Sequence, residues 1–156
     1  MTTTTTTDQA ATVFHLGAQL LEQGRTMDLL AQTDVLAAHI KVYAEGGENT
    51  IHAHAEEEHL FVILAGEATF HLGKEDEIKV LRAMDGVIIP RNSYYWFVSS
   101  GAENLVLLRV GAKAKGWSNF DDRVDVGGRP FPGDSAANKE KPVIFRDGAY
   151  FGTHGG

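Results

Sequence analysis

After Arg25, apolar and polar residues alternate in short segments separated by turn-forming residues, which is typical of β-strands. Two strands are predicted over 27–30 and 35–43, because the second ends in the β-favouring pair Val42 and Tyr43. Five further segments are bounded by Gly, Asp, Asn or Ser: 67–72, 78–81, 87–89, 94–98 and 105–110. Short strands at this spacing predict an all-β sandwich or barrel.

The two ends of the chain depart from this pattern. Residues 1–12 are rich in threonine and lack apolar partners, which predicts a disordered tail. Residues 13–23 carry apolar positions at a helix-like spacing interrupted by a glycine, so a short helix or a turn is expected there. We assign 13–113 to the barrel and 114–156 to a C-terminal extension that packs on the barrel or on a partner subunit. One more β-like segment is expected within that extension, at 142–151.

Composition excludes several classes of protein. The 156 residues carry a net charge of -7 and no run of Lys or Arg, so we expect no nucleic-acid binding. The apolar run 60–65 is far shorter than the roughly 20 residues that span a bilayer, and the N-terminus lacks a signal pattern. A cytoplasmic protein without membrane contact is therefore expected. Because the chain has no Cys, any metal would be held by His, carboxylate or Tyr.

A cluster of metal-binding side chains precedes the apolar run. His52 and His54 occupy alternate positions, so on a strand both imidazoles face the same side. Glu58 and His59 follow, and further glutamates make the neighbourhood attractive to a cation. Imidazole-rich sites suit Fe, Zn, Cu and Ni, whereas carboxylates favour Mn or Fe. A divalent transition metal is the expected cofactor; the alternative is a solvated acidic loop with incidental histidines.

This stretch resembles the first motif of the cupin superfamily, Gly-x5-His-x-His-x3/4-Glu-x6-Gly, through four matching residues: Gly46, His52, His54 and Gly66. Counting back from Gly66 places His59, rather than a glutamate, at the position of the carboxylate ligand. Glu58 fits only the shorter of the two spacings and is the second candidate for that position. The resemblance therefore implies metal ligation by His52, His54 and His59.

Residues 84–99 resemble the second cupin motif, Gly-x5-Pro-x-Gly-x2-His-x3-Asn. Pro90 is in place, and Asn92, which tolerates the left-handed backbone conformation, replaces the second glycine. Tyr95 stands where the family has its ligand histidine. Two interpretations follow: Tyr95 is a fourth ligand or a hydrogen-bond donor beside three imidazoles, or the site binds an organic ligand without metal.

The resemblance implies a double-stranded β-helix, or jelly-roll barrel, and in small members of the family a homodimer. It also implies a metal-dependent enzyme, which we expect to be a non-haem Fe(II) dioxygenase acting on a small aromatic or dicarbonyl compound; Zn, Ni, Mn and Cu are alternative metals. A metal-assisted cyclase, lyase or isomerase would use the same parts, with Tyr95 or Glu58 moving the proton. The third alternative is a non-catalytic protein that binds small molecules.

Strand parity predicts the surroundings of the site. Tyr95 and Phe97 face one side of their strand, while Phe61 and Ile63 share the parity of His59. These residues predict an apolar, aromatic pocket for a small flat substrate, or simply the core of a small barrel. Four other residues are expected to be structural or exposed, although the two arginines are also candidates for binding a substrate carboxylate: His39, His71, Arg91 and Arg109.

Overall fold

A computed structural model describes residues 10–114, 122–130 and 141–152, and only the backbone of residues 48 and 49. These parts of the chain form strands β1 to β12 and no helix: β1 Gly17–Gln23, β2 Arg25–Gln32, β3 Leu36–Tyr43, β4 Gly46–His54, β5 Glu57–Ala65, β6 Glu67–Leu72, β7 Glu77–Arg82, β8 Gly86–Ile89, β9 Tyr95–Ser99, β10 Leu105–Lys113, β11 Arg123–Val124 and β12 Ile144–Gly152. Most of the predicted tail, residues 1–9, lies outside the described residues.

Most strands belong to two five-stranded sheets, ordered β2-β3-β10-β5-β8 and β11-β4-β9-β6-β7. The pairings within both sheets are antiparallel, and non-consecutive strands such as β3, β10 and β5 are neighbours, as in a jelly roll. The predicted all-β jelly-roll fold is thereby confirmed. Within the described ranges, however, the sheets face each other as a sandwich and do not close into one continuous barrel. In the same ranges, no helix is long and apolar enough to cross a membrane.

The main core lies between the two sheets. Alternation on each strand sends every second side chain inward, and the inward residues at one end of the sandwich are large and apolar. Ten buried residues form this cluster: Tyr43, Phe61, Ile63, Ala68, Phe70, Ile89, Tyr95, Phe97, Leu105 and Leu107. Phe70 and Phe97, from neighbouring strands, stack with ring centroids 4.7 Å apart. The core thus joins both sheets and fixes the strands that carry the candidate site.

The N-terminal segment is a strand, so the expected helix or turn over 13–23 is wrong. β1 pairs with β12 in a separate two-stranded ribbon, and Ala18 and Leu21 pack with residues on the outer face of the first sheet. The side chain of Asn104 fixes the ribbon: its Oδ1 accepts a hydrogen bond from Leu21 N at 2.6 Å, and its Nδ2 donates to Leu21 O at 3.1 Å. Pairing with a distant segment overrides the weak local helix pattern.

Two turns agree with the sequence motifs. Asn92 has a φ of 65°, the left-handed conformation expected for the residue that replaces a motif glycine. Gly66 has a φ of 77°, and a side chain there would overlap the carbonyl oxygen of Asn104. These turns set the ends of β5 and β8, and therefore the register of the strands that carry the histidines.

Candidate metal centre

Strand β5 contributes two polar side chains to the interior. Glu57 and His59 are buried on the same face as Phe61 and Ile63, whereas Glu58 between them is exposed. β5 pairs with β10, where Gly111 lies opposite His59. A Cβ at Gly111 would overlap the carboxylate of Glu57, so glycine leaves the space that this carboxylate occupies.

His52 and His54 enter the same space from β4 of the other sheet. Both are buried, with 0% and 5% of their surface exposed, and their ring centroids lie 5.2 Å apart. Each Nδ1 has an oxygen partner at 2.8 Å: the Thr50 carbonyl for His52 and Asp122 Oδ1 for His54. With Nδ1–H donating to these oxygens, each Nε2 keeps its lone pair for a metal. The Nε2 of His54 is buried and has no hydrogen-bond partner within the described chain.

Asp122 is a site residue that the sequence analysis missed. It is buried, it accepts the His54 hydrogen bond, and its Oδ2 accepts a second one from Glu56 N at 2.9 Å. Burial alone would raise its pKa, but the hydrogen bonds from His54 and Glu56 and nearby positive charge hold the pKa far below the usual range. A carboxylate behind a histidine is a common outer partner in metal sites. The sequence carries no signal for it, since Asp122 is far from His54 along the chain.

The most compact ligand group differs from the predicted one. One ligand atom each from His54, Glu57 and His59 lie within 4.8 Å of one another, and all three residues are buried. Glu58, the second candidate for the third ligand and a candidate proton carrier, points away from this group. Its carboxylate pairs on the surface with Arg91 at 3.5 Å. Glu57 shares the inward parity of His59, so strand alternation could have identified it.

Tyr95 lies beside the three histidines. It is buried on β9, and its Oη is 3.3 Å from His59 Nδ1. Its ring centroid is 4.6 Å from that of His52 and 5.8 Å from that of Phe61. The structure therefore brings together His52, His54, His59 and Tyr95, with the tyrosine hydroxyl next to a histidine ring nitrogen.

Two cationic side chains from β10 border the group. Arg109 Nη2 is 2.7 Å from His59 Nε2 and 3.3 Å from Glu57 Oε1, and Lys113 Nζ is 4.0 Å from Glu57 Oε2. Burial, and then the charge of Arg109, lowers the pKa of His59 well below 6.5, so the ring is neutral. The guanidinium of Arg109 has only donors, so it requires Nε2 of His59 as an acceptor, which leaves the proton on Nδ1 facing Tyr95.

The remaining candidates take other positions. Phe61, Ile63 and Phe97 are fully buried members of the main core, although Phe61 also borders His59 with ring centroids 5.7 Å apart. His71 stacks on Trp96 outside the interior, with centroids 3.8 Å apart. His39 is half-buried opposite Arg109 on the neighbouring strand.

The donors fit a divalent transition metal. Two imidazole nitrogens and a carboxylate oxygen lie close together, a third imidazole is adjacent, and two of the histidines have their Nδ1 atoms fixed by oxygen partners. A buried imidazole nitrogen without a hydrogen-bond partner, at His54, costs free energy that a bound cation would recover. The residues present therefore match the chemistry of a metal centre.

Comparisons with known proteins agree with the fold. No curated protein sequence is significantly similar to the chain. A conserved protein with a double-stranded β-helix domain from Klebsiella pneumoniae aligns with a TM-score of 0.53 and 20% identity, over 60% of this chain and 81% of its own. KdgF from Halomonas aligns with a TM-score of 0.55 and 19% identity, over 67% of this chain and 96% of its own.

A variant of the Streptomyces protein PAC13, solved with uridine, aligns with a TM-score of 0.55 and 15% identity, over 77% of this chain and 92% of its own. At such low identity, these likenesses concern the fold alone. The sequence profile of the cupin domain matches residues 39–111, which include β4, β5, β9 and most of β10. On this match and on the jelly-roll fold, the chain belongs to the cupin superfamily.

Proposed function

We propose that this chain is a metal-dependent enzyme, and more narrowly a non-haem Fe(II) dioxygenase that acts on a small aromatic or dicarbonyl compound. The observation that carries the proposal is the buried group His54, Glu57 and His59, with ligand atoms within 4.8 Å of one another. Two imidazoles and one carboxylate are the donor set of many non-haem Fe(II) oxygenases. His52 would add a third imidazole beside them.

The protein's own groups would hold the metal and keep it in place. When bound, Fe(II) supplies Lewis acidity and the redox chemistry that a reaction with O2 requires. Asp122 would keep the His54 ring oriented, and the Thr50 carbonyl would do the same for His52. The apolar core behind Phe61 would exclude water from one side of the centre.

Tyr95 would act on the substrate rather than on the fold alone. Its hydroxyl lies beside His59, at the border between the polar group and the aromatic core. From this position it would donate a hydrogen bond to an enolate or phenolate oxygen and return a proton to it. The adjacent aromatic rings would favour a flat substrate.

Metal content tests the proposal. Tag-free protein, purified and then reconstituted with Fe(II), Zn(II) or Mn(II), is expected to hold close to one equivalent of metal, while His54→Ala and Glu57→Gln lose most of it. His71→Ala and Glu58→Gln are matched controls, because they remove the same groups from the outer surface. Less than about a tenth of an equivalent in the parent protein would rule out both metal-enzyme hypotheses and leave a metal-free binding protein.

Oxygen consumption then separates oxygenase from redox-neutral chemistry. Fe(II)-loaded protein would be assayed with catechols and β-dicarbonyls, and consumption that disappears in His54→Ala is expected. The contact between Tyr95 and His59 favours a second candidate, a metal-assisted cyclase, lyase or isomerase in which the tyrosine moves a proton. Full metal loading without any oxygen uptake, but with conversion of a substrate that Tyr95→Phe abolishes, would favour that candidate.

We also propose that the chain forms a homodimer. β2 is an edge strand whose Met27 and Leu29 side chains are more than half exposed, and such an edge invites pairing with another copy. Light scattering coupled to size exclusion tests this directly. A mass of one chain at micromolar concentration would refute it.

A further inference from the structure

The guanidinium of Arg109 lies where a metal ion would meet two of its ligands. Its Nη2 is 2.7 Å from His59 Nε2 and 3.3 Å from Glu57 Oε1. Those two acceptor atoms are themselves only 2.8 Å apart. A single cationic nitrogen therefore contacts both of the atoms that β5 offers to a metal.

This arrangement satisfies two groups that would otherwise repel each other. With the His59 proton on Nδ1, the lone pair of Nε2 faces a carboxylate oxygen at 2.8 Å, which is unfavourable unless a cation is shared between them. Nη2 carries two N–H groups, one for each acceptor. Arg109 thus supplies to His59 and Glu57 what a bound metal would supply.

The position of Arg109 is built into the fold. Its side chain is only 13% exposed, because β10 lies between β3 and β5 and Arg109 is one of its inward residues. Gly111, the next inward residue of β10, leaves space for the carboxylate of Glu57, so the carboxylate can reach the guanidinium. The contact is therefore an interior one between neighbouring strands, unlike the surface pair formed by Arg91 and Glu58.

We propose that Arg109 is an internal competitor of the metal. It occupies the ligand atoms of Glu57 and His59 in the metal-free protein and must leave them before a metal binds. This inference rests on the proposed function, since it assumes that these two residues are metal ligands. Because binding must break two hydrogen bonds of the guanidinium and bring two cations together, Arg109 lowers the affinity for every divalent metal.

Removing the guanidinium is therefore expected to tighten metal binding. Arg109→Gln should bind Zn(II) and Co(II) at least about tenfold more tightly than the parent protein, measured by competition with a chromophoric chelator. Arg91→Gln is the matched control, because it removes the same charge from a half-exposed position outside the site. Its affinity should stay within about twofold of the parent's.

Two further measurements guard against trivial explanations. The visible spectrum of the Co(II) form should be the same in the parent and Arg109→Gln, which shows that the new glutamine has not become a ligand. Arg109→Lys keeps the charge but lacks the fork that contacts two acceptors, so its affinity should lie between those of the parent and Arg109→Gln. If Arg109→Gln does not fold, affinity above the parent's in Arg109→Lys supports the inference.

The outcomes separate this inference from the proposed function. A parent protein that binds one equivalent of metal, with equal or weaker affinity in the Arg109 variants, overturns the competitor role and leaves the metal enzyme intact. A parent and variants that all fail to bind metal overturn both.

Discussion

The two halves of the space between the sheets are lined by the same strands but differ in chemistry. On β5, the inward residues change from Glu57 and His59 at one end to Phe61 and Ile63 at the other. β10 repeats the change in the opposite direction, from Leu105 and Leu107 to Arg109, Gly111 and Lys113. Because the two strands are antiparallel, the apolar ends coincide and so do the polar ends.

This difference separates the source of stability from the site of chemistry. The aromatic half removes apolar surface from water and packs both sheets together, which stabilises the fold. The polar half buries charges and imidazoles, and such groups cost free energy unless each one has a partner. A protein that keeps this costly arrangement in its interior has a use for it other than stability.

The largest effect is expected in the apolar half. Phe97 is fully buried and packs against Phe70, Phe61 and Tyr43, so Phe97→Ala should lower the free energy of unfolding by about 3–5 kcal/mol. Urea unfolding of metal-free protein, followed by circular dichroism, measures this. Val98→Ala, on the opposite face of the same strand, is the control with a smaller loss. A loss below about 1 kcal/mol in Phe97→Ala would mean that the apolar half does not dominate stability.

Replacing Glu57 should cost less in stability and more in metal binding. Glu57→Gln leaves Arg109 and Lys113 without their carboxylate partner, and the expected loss is about 2–4 kcal/mol in metal-free protein. Glu58→Gln, which breaks only a surface pair, should change stability by less than about 0.5 kcal/mol. Equal effects of the two substitutions would break the distinction between buried and exposed glutamates.

A methyl group at Gly111 should separate the two properties further. Gly111→Ala would push the Glu57 carboxylate out of its place, since the new Cβ overlaps it. Because the end of a glutamate side chain can move, the loss of stability should be only about 1–2 kcal/mol. Metal affinity, measured by chelator competition, should fall at least about tenfold. Unchanged affinity would show that Glu57 is not a ligand.

The smallest effect concerns pH. Burial, and then the charges of Arg109 and Lys41, lower the pKa of His39 below 6.5 in the folded state. Between that lowered value and 6.5 the unfolded chain binds more protons, so stability present above pH 6.5 is lost as the pH falls. His39→Gln should flatten this dependence between about pH 7.5 and 5.5, whereas His71→Gln serves as the control. A parent protein that is more stable at the lower pH would contradict the sign.

Local patterns predicted the parts of the structure that depend on neighbours in sequence. The alternation after Arg25 identified the strands, and counting between Gly66 and the histidines indicated which face of β5 points inward at His59. The left-handed backbone of Asn92 followed from its place in a motif. In each case the determining interaction spans only a few residues, so the sequence pattern carries it directly.

Features that depend on distant pairing could not be read in the same way. β1 has a weak helical pattern and is a strand only because β12 pairs with it and Asn104 binds Leu21. Asp122 joins the site through a contact with His54 that no spacing announces. Glu57 is different, since its parity with His59 was visible and the motif drew attention to Glu58 instead.

The attachment of β1 by the Asn104 side chain has a consequence for exchange of amide protons with solvent. The ribbon of β1 and β12 forms its ladder apart from both large sheets and is joined to them by one asparagine and an apolar cluster. It can therefore open as a unit while β5 and β10 remain paired. Amides of the ribbon should exchange through this local opening, whereas those of β5 and β10 exchange only when the whole domain unfolds.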